Sequence, residues 1–271
     1  MDNSKFIQHK NIELEYFSKG KGSTAVICFH GFGRNAHDFF DLNYPTNIKV
    51  ISVNLIFHGN SKFGEKHYGQ NQILSDNDLS ICIEKIIPEE KIKSAYLIGY
   101  SLGGKVALSV LASQKISLKG ILLFAPDGFK RNPWYWFANQ TMVGQSLHQA
   151  SIKNPWIFNA FLNASRSLKL ASRRQNNFAK EQMGTAQKRE LVYRIWRTHG
   201  KLGPDLKRVA NQLEQGVVKM KIILGVYDKI IPSKPIVNWV NKQSKNCEVV
   251  LLKSGHVFSK EVLEEQIRNF I

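Results

Sequence analysis

Ser101 lies in Gly99-Tyr100-Ser101-Leu102-Gly103, between a short apolar run (Ala95, Tyr96, Leu97, Ile98) and a small-residue helical pattern (Val106, Ala107, Leu108, Val110, Leu111). Strand, abrupt turn and helix is the setting in which a serine at the tip of the turn sits in strained backbone and projects outward. Glycine is then required two positions to either side, because a Cβ there would meet the turn or the helix. Gly99, Gly103 and Gly104 meet that requirement. Taken alone, the same residues also suit an ordinary helix N-terminus capped by Ser101. The rest of the chain has to separate the two.

A serine hydroxyl attacks poorly unless a base takes its proton, and the base must be held in one tautomer by a third group. Of eight histidines, His256 stands directly after the last apolar strand run, in Lys253-Ser254-Gly255-His256-Val257-Phe258. His30 and His58 also follow strands, but each precedes a glycine in a turn, where a backbone-bonded structural role is more usual. His9, His37, His67, His148 and His199 have no strand end behind them. For the acid, Asp228 follows a strand in Gly225-Val226-Tyr227-Asp228. Asp127, in Pro126-Asp127-Gly128, is its rival. An aspartate before glycine is more often a turn former, so Asp228 is preferred. Two backbone donors must face the developing oxyanion. Leu102, next after the serine, offers one, and Phe32, in the loop His30-Gly31-Phe32-Gly33, offers the other.

These residues need strands and helices to carry them. Ile12, Leu14 and Tyr16 alternate with Glu13 and Glu15, which predicts a half-exposed strand over 11–18. Thr24–Phe29, Lys49–Asn54, Ala95–Ile98, Ser117–Ala125, Lys219–Val226 and Glu248–Leu252 are continuous apolar runs, as expected of buried strands. Helical spacing covers 71–87 (stopped by Pro88), the stretch after Ser101, 206–215, Pro232 to about Asn241, and 259–270. The alternation predicts an α/β fold with a mostly parallel central sheet flanked by helices. Residues 129–205 break the rhythm. They are aromatic, basic and helical in period, and are expected to form a helical cap inserted over the sheet's carboxyl edge, leaving 1–128 and 206–271 as the core.

The chain of 271 residues is 43% hydrophobic, with 16 Phe and 5 Trp, which supports a packed core and excludes disorder as a class. The N-terminal MDNSKFIQHK has no apolar region of a secretory signal, and no apolar run is long enough to span a bilayer. Cys28, Cys82 and Cys247 lack metal spacing and are expected as buried free thiols, so a cytoplasmic location is the default. The net charge is +17. Residues 128–205 hold thirteen Lys or Arg against Glu181, Glu190 and Asp205. A solvated basic face is the plain explanation. An anionic substrate or an anionic membrane surface are the sharper ones. Nucleic acid ranks last, because no nucleic-acid-binding motif accompanies the charge.

With these residues in place, the sequence resembles the α/β-hydrolase superfamily over nearly its whole length. The resemblance rests on His30-Gly31-Phe32-Gly33, Gly99-Tyr100-Ser101-Leu102-Gly103-Gly104, Gly225-Val226-Tyr227-Asp228 through Pro232, and Gly255-His256. His58-Gly59-Asn60-Ser61 is similar to the family's G-H-G-x-S turn, but Phe57 stands where glycine is common and Asn54 where aspartate is common. The resemblance implies a triad of Ser101 (nucleophile), His256 (general base, then acid) and Asp228 (orienting acid), with 129–205 as a variable cap. It implies a serine hydrolase acting on a small carboxylic ester or similar acyl compound, through an acyl-enzyme and with no metal or organic cofactor. Two alternatives stay open: carbon–carbon bond hydrolysis on the same triad, and a non-catalytic binding or signalling module. Most aromatics of the cap (Trp134, Tyr135, Trp136, Phe137, Trp156, Phe158, Phe161, Trp196) are expected in its own core. The remainder would line an apolar acyl pocket, and Arg166, Arg173 and Arg174 would favour an anionic or amphiphilic substrate.

Overall fold

The computed structural model describes residues 4–64, 73–113, 115–130, 136–137, 141–167, 173–242 and 246–271. The expected helix start at Asn71, His67, the aromatics Trp134 and Tyr135, and the side chain of Arg174 lie outside the described residues. Strands β1 (Lys5–His9), β2 (Ile12–Lys19), β3 (Thr24–Phe29), β4 (Ile48–Val53) and β5 (Lys62–Phe63) precede the helix α2 (Asp76–Glu89), with the short α1 (His37–Phe40) between β3 and β4. Then follow β6 (Ser94–Tyr100), α3 (Leu102–Ser113) and β7 (Leu118–Phe124). After an insertion come α8 (Leu206–Glu214), β8 (Lys219–Gly225), α9 (Ser233–Val240), β9 (Cys247–Leu252) and α10 (Lys260–Phe270). The sheet order is β1-β2-β4-β3-β6-β7-β8-β9, with β5 paired to β2.

From β4 to β9 neighbouring strands are parallel. Register therefore brings several strand ends to one edge. Phe29 pairs with Val53 and Gly99, Tyr100 with Phe124, and Gly225 with Leu252. Residues just beyond those ends become neighbours although they are far apart in sequence. The continuous apolar runs are explained by burial on both faces: Ala25 to Phe29 and Ile121 to Phe124 are wholly inaccessible. On one face Tyr96, Ile98 and Tyr100 join Phe124, Ile223, Phe39 and Phe40 of α1, and Leu263, Ile267 and Phe270 of α10. Alternation turns Leu97 and Gly99 to the other face, where α3 lies against Gly99 with α2 and α8 packed on it.

Several expectations are corrected. β1 and β5, short edge pieces, were not anticipated. Glu15 is not on an exposed face but buried, because Asn54 Nδ2 (2.6 Å), the Asn60 N–H (2.8 Å) and Asn60 Nδ2 (2.7 Å) all donate to its carboxylate. Burial raises its pKa, but those hydrogen bonds outweigh burial and hold it below the usual range. An aspartate at position 54 would face that carboxylate as a like charge, which explains the asparagine there. Pro88 does not stop α2; the helix runs on to Glu89 and closes with the Glu90 N–H on Ile86 O. Pro88 forfeits only its own hydrogen bond, which the last turn tolerates. Cys28 and Cys82 are buried free thiols, but Cys247 is only partly buried because it starts the edge strand β9.

The chain divides into two units. One comprises Met1–Gln70, Leu74–Lys130 and Leu202–Ile271; the other is mainly Arg131–Lys201. Within the second unit lie α4 (Met142–Lys153), α5 (Pro155–Ser167), α6 (Arg173–Met183) and α7 (Ala186–His199). Thr141 and Thr185 cap α4 and α7 through the N–H groups of Gly144 (3.0 Å) and Lys188 (3.2 Å). Arg189 of α7 donates to the carbonyls of Met183 and Ile152 (3.0 Å each) and its guanidinium lies 5.9 Å from the Phe158 ring. Phe158 is buried as expected, whereas Trp136, Trp156 and Phe161 are exposed. No helix among the described residues is long and apolar enough to cross a membrane.

Candidate active site

Ser101 occupies the single residue between β6 and α3, with φ at 50°, in the left-handed region that side-chain-bearing residues avoid. The turn can only be this tight because of its glycines. A Cβ on Gly99 would lie 2.6 Å from Gly103 O, and one on Gly103 would lie 2.0 Å from Phe29 O. The helix-cap alternative for Ser101 is thereby set aside: the side chain bonds a histidine rather than its own helix. Ser101 Oγ is 3.1 Å from His256 Nε2, and His256 Nδ1 is 2.7 Å from Asp228 Oδ2. The other oxygen, Asp228 Oδ1, accepts from the N–H groups of Ile230 (2.7 Å) and Ile231 (2.9 Å). The Asp228 side chain is almost completely buried, at 1% exposure, while the imidazole keeps a solvent-facing edge. A buried carboxylate with both oxygens engaged fixes the ring that it holds.

The loops carrying Asp228 and His256 touch directly. A Cβ on Gly225 would fall 2.1 Å from Gly255 O, so only glycine allows this approach. Asp127, the rival acid, is elsewhere engaged: its Oδ1 accepts its neighbour Gly128 N–H at 2.7 Å, as a turn former does. Its own N–H donates to Ser101 O at 2.9 Å, tying the end of β7 to the serine turn.

Leu102 opens α3, so its N–H is one of those a helix's first turn leaves without a carbonyl in its own helix. Phe32 lies in the β3–α1 loop, just before two engaged N–H groups. Arg34 N–H donates to Gly31 O (3.3 Å) and Gly33 N–H to His58 Nε2 (3.1 Å). A Cβ at Gly31 would sit 3.6 Å from Ser101 Cβ, so this loop lies against the serine turn. His30 and His58 serve the loop as expected, through backbone bonds. Leu55 N–H donates to His30 Nε2 (3.0 Å), and the two rings meet edge to face at 4.7 Å. Burial pushes the His58 pKa down to about 4, which keeps the ring neutral and its Nε2 able to accept. Phe57, the departure from the expected glycine, takes the left-handed backbone of glycine (φ 66°).

Sequence reasoning missed Tyr100. Its hydroxyl donates to His256 O at 2.5 Å and accepts from Phe258 N–H at 3.2 Å. The ring is stacked on Phe124 and stands edge-on to His256 and Phe258. Burial pushes its pKa up to about 12, so the hydroxyl keeps its proton and both bonds. The available signal was a tyrosine in an otherwise apolar buried strand, whose polar tip needs a partner.

A parallel sheet with a strained serine after its central strand, and histidine and aspartate after later ones, defines an α/β-hydrolase. Residues 20–256 match the family described as serine aminopeptidase, S33 (Hydrolase_4), and the chain belongs to that family of hydrolases. It is 22% identical to the uncharacterized hydrolase YugF of Bacillus subtilis (strain 168) over 274 aligned positions, covering 96% of this chain and 94% of the relative. Among solved structures it is similar to MGS-M2, an α/β hydrolase enzyme from a Medee basin deep-sea metagenome library. That match has a TM-score of 0.65 and 15% identity over 97% of this chain and 94% of that one. The esterase EaEST of Exiguobacterium antarcticum matches with a TM-score of 0.62 and 16% identity over 98% and 99%.

Proposed function

We propose that this protein is a serine hydrolase that cleaves a small carboxylic ester or similar acyl compound through an acyl-enzyme. The observation that carries the reading is the unbroken chain Asp228 Oδ2, His256 Nδ1, His256 Nε2, Ser101 Oγ, at 2.7 and 3.1 Å. Ser101 Oγ attacks the acyl carbon while His256 Nε2 takes its proton. The N–H groups of Phe32 and Leu102 receive the negative charge that develops on the carbonyl oxygen. Collapse expels the alcohol, which leaves with the proton from His256, and Ser101 keeps the acyl group. A water then gives its proton to His256, attacks the acyl carbon and releases the acid, returning the proton to Ser101. Asp228 stays ionised and stabilises the imidazolium formed in each half.

Residues 129–205 are proposed as the cap that selects the substrate. The support lies in where the chain leaves and rejoins the core. A Cβ on Gly128 would sit 3.1 Å from Pro204 Cγ, and Gly128 is one residue from the Asp127 N–H bound to Ser101 O. The lysine and arginine excess of this segment favours an anionic or amphiphilic acyl compound. p-Nitrophenyl esters of graded chain length test the reading. A burst of nitrophenol equal to the enzyme, with the acyl mass on a peptide containing Ser101, is the expected result. Turnover of a diketone with no acyl-serine from any ester would favour the carbon–carbon alternative and overturn it.

A further inference from the structure

Helix α5 is apolar around most of its circumference, yet packs along only one stripe. Phe158, Leu162 and Ser165 are buried, at the i, i+4, i+7 spacing of a single face. Trp156, Ala160 and Ala164, at i, i+4 and i+8, form a second stripe that is exposed, with exposed Phe161 beside it. Trp156 is 69% accessible. On α4, which packs against α5, Met142 (86%), Val143 (63%) and Leu147 are exposed as well. Isolated apolar residues on a surface need no explanation, but five large ones on two adjoining helices do.

The charge of the segment that carries them is one-sided. From Gly128 to Lys180 the chain contains no aspartate or glutamate and eight lysines or arginines. Lys153 at the end of α4, Arg166 near the end of α5 and Arg173 at the start of α6 are all exposed. A face meant for general solvation mixes both signs. A face with tryptophan, methionine and branched aliphatics, on two helices that carry cations and no acid, matches a bilayer whose headgroups are anionic.

We propose that the α4–α5 face of the inserted unit docks on the surface of an anionic lipid bilayer, Val143, Leu147 and Trp156 entering the headgroup layer and Lys153, Arg166 and Arg173 meeting the lipid phosphates. This goes beyond the hydrolase reading and does not depend on it, since binding can be read on a Ser101→Ala protein. The apolar contacts supply insertion and the cations supply attraction, so both are needed for attachment.

The test is co-sedimentation of the full chain with phosphatidylcholine vesicles, with and without phosphatidylglycerol. Binding to the anionic vesicles alone is expected, weakened by salt because the attraction is screened. Val143→Ser/Trp156→Ser and, separately, Lys153→Glu/Arg166→Glu are each expected to weaken it about tenfold or more, with the far-UV circular dichroism unchanged. No binding to anionic vesicles overturns the proposal. So does equal binding by the serine double variant and the parent, which would leave only a diffuse charge effect. Capture by a polyglutamate column with no vesicle binding would assign the face to an acidic protein partner and refute the lipid surface.

Discussion

Tyr100→Phe removes one oxygen and no packing, which makes its consequences calculable. The ring keeps its contacts with Phe124 and Phe258. What disappears is the donor to His256 O and the acceptor for Phe258 N–H, the latter a buried bond. A buried N–H left without an acceptor costs about 1–3 kcal/mol, and the lost bond to the partly buried carbonyl about 0.5–1.5 kcal/mol. The sum is about 2–4 kcal/mol, equivalent to a fall in Tm of about 5–12 °C for a chain of this size. Both bonds fix the backbone of His256 and of the residues that follow it, so their loss lets Nε2 drift from Ser101 Oγ. Misplacement by a fraction of an ångström predicts a kcat lowered about 10- to 100-fold with KM little changed. Tyr96→Phe is the matched control. It lies four residues earlier on the same strand face and loses only a 3.4 Å contact to Ile271 O. Thermal melts and steady-state ester hydrolysis on the three proteins suffice. A Tyr100→Phe enzyme with lowered Tm but unchanged kcat would show that the hydroxyl only stabilises the fold, refuting its role in positioning His256.

Further outcomes follow from the same geometry. Asp228→Asn retains the side-chain volume but lets the histidine adopt the wrong tautomer, and kcat is expected to fall about 10⁴-fold with little change in Tm. Gly103→Ala forces a methyl to within 2.0 Å of Phe29 O, where only backbone could yield. A loss above about 3 kcal/mol is expected, seen as insoluble protein or a Tm lower by about 10 °C. Acid should unfold the protein in two stages. His58 and His148 are held down by burial at about 4 from 6.5, so below pH 6.5 the unfolded chain binds more protons and stability falls until about pH 4. Glu90, whose burial is outweighed by hydrogen bonds from Lys5, Ser18 and Lys49, sits at about 2 against 4.5, and its contribution is lost as pH drops below 4.5. A Tm that stays flat from pH 7 to pH 4 would contradict the first stage.

The sequence made the parallel core legible because each strand is buried on both faces and so must be apolar throughout. Ser101, Asp228 and His256 were legible for a related reason: each follows a strand end, and parallel register gathers such ends on one edge. What escaped depends on partners far away in the chain. Glu15 reads as the outward half of an alternating strand until Asn54 and Asn60 are brought to it. The tasks of Tyr100 lie more than 150 residues downstream, at His256 and Phe258. Strands β1 and β5 are too short to announce themselves and exist through pairing with β2. Most cap aromatics were expected in a core, yet Trp156 and Phe161 are exposed, because aromatic content says how much can be buried, not which side of α5 finds a neighbour.

The most direct test of the central claim is labelling of the purified protein by a fluorophosphonate, which phosphonylates only an activated serine. One label per chain is expected, on Ser101, absent from Ser101→Ala and strongly reduced in His256→Ala. A folded wild-type protein that takes no label, or takes it on another residue, would contradict it.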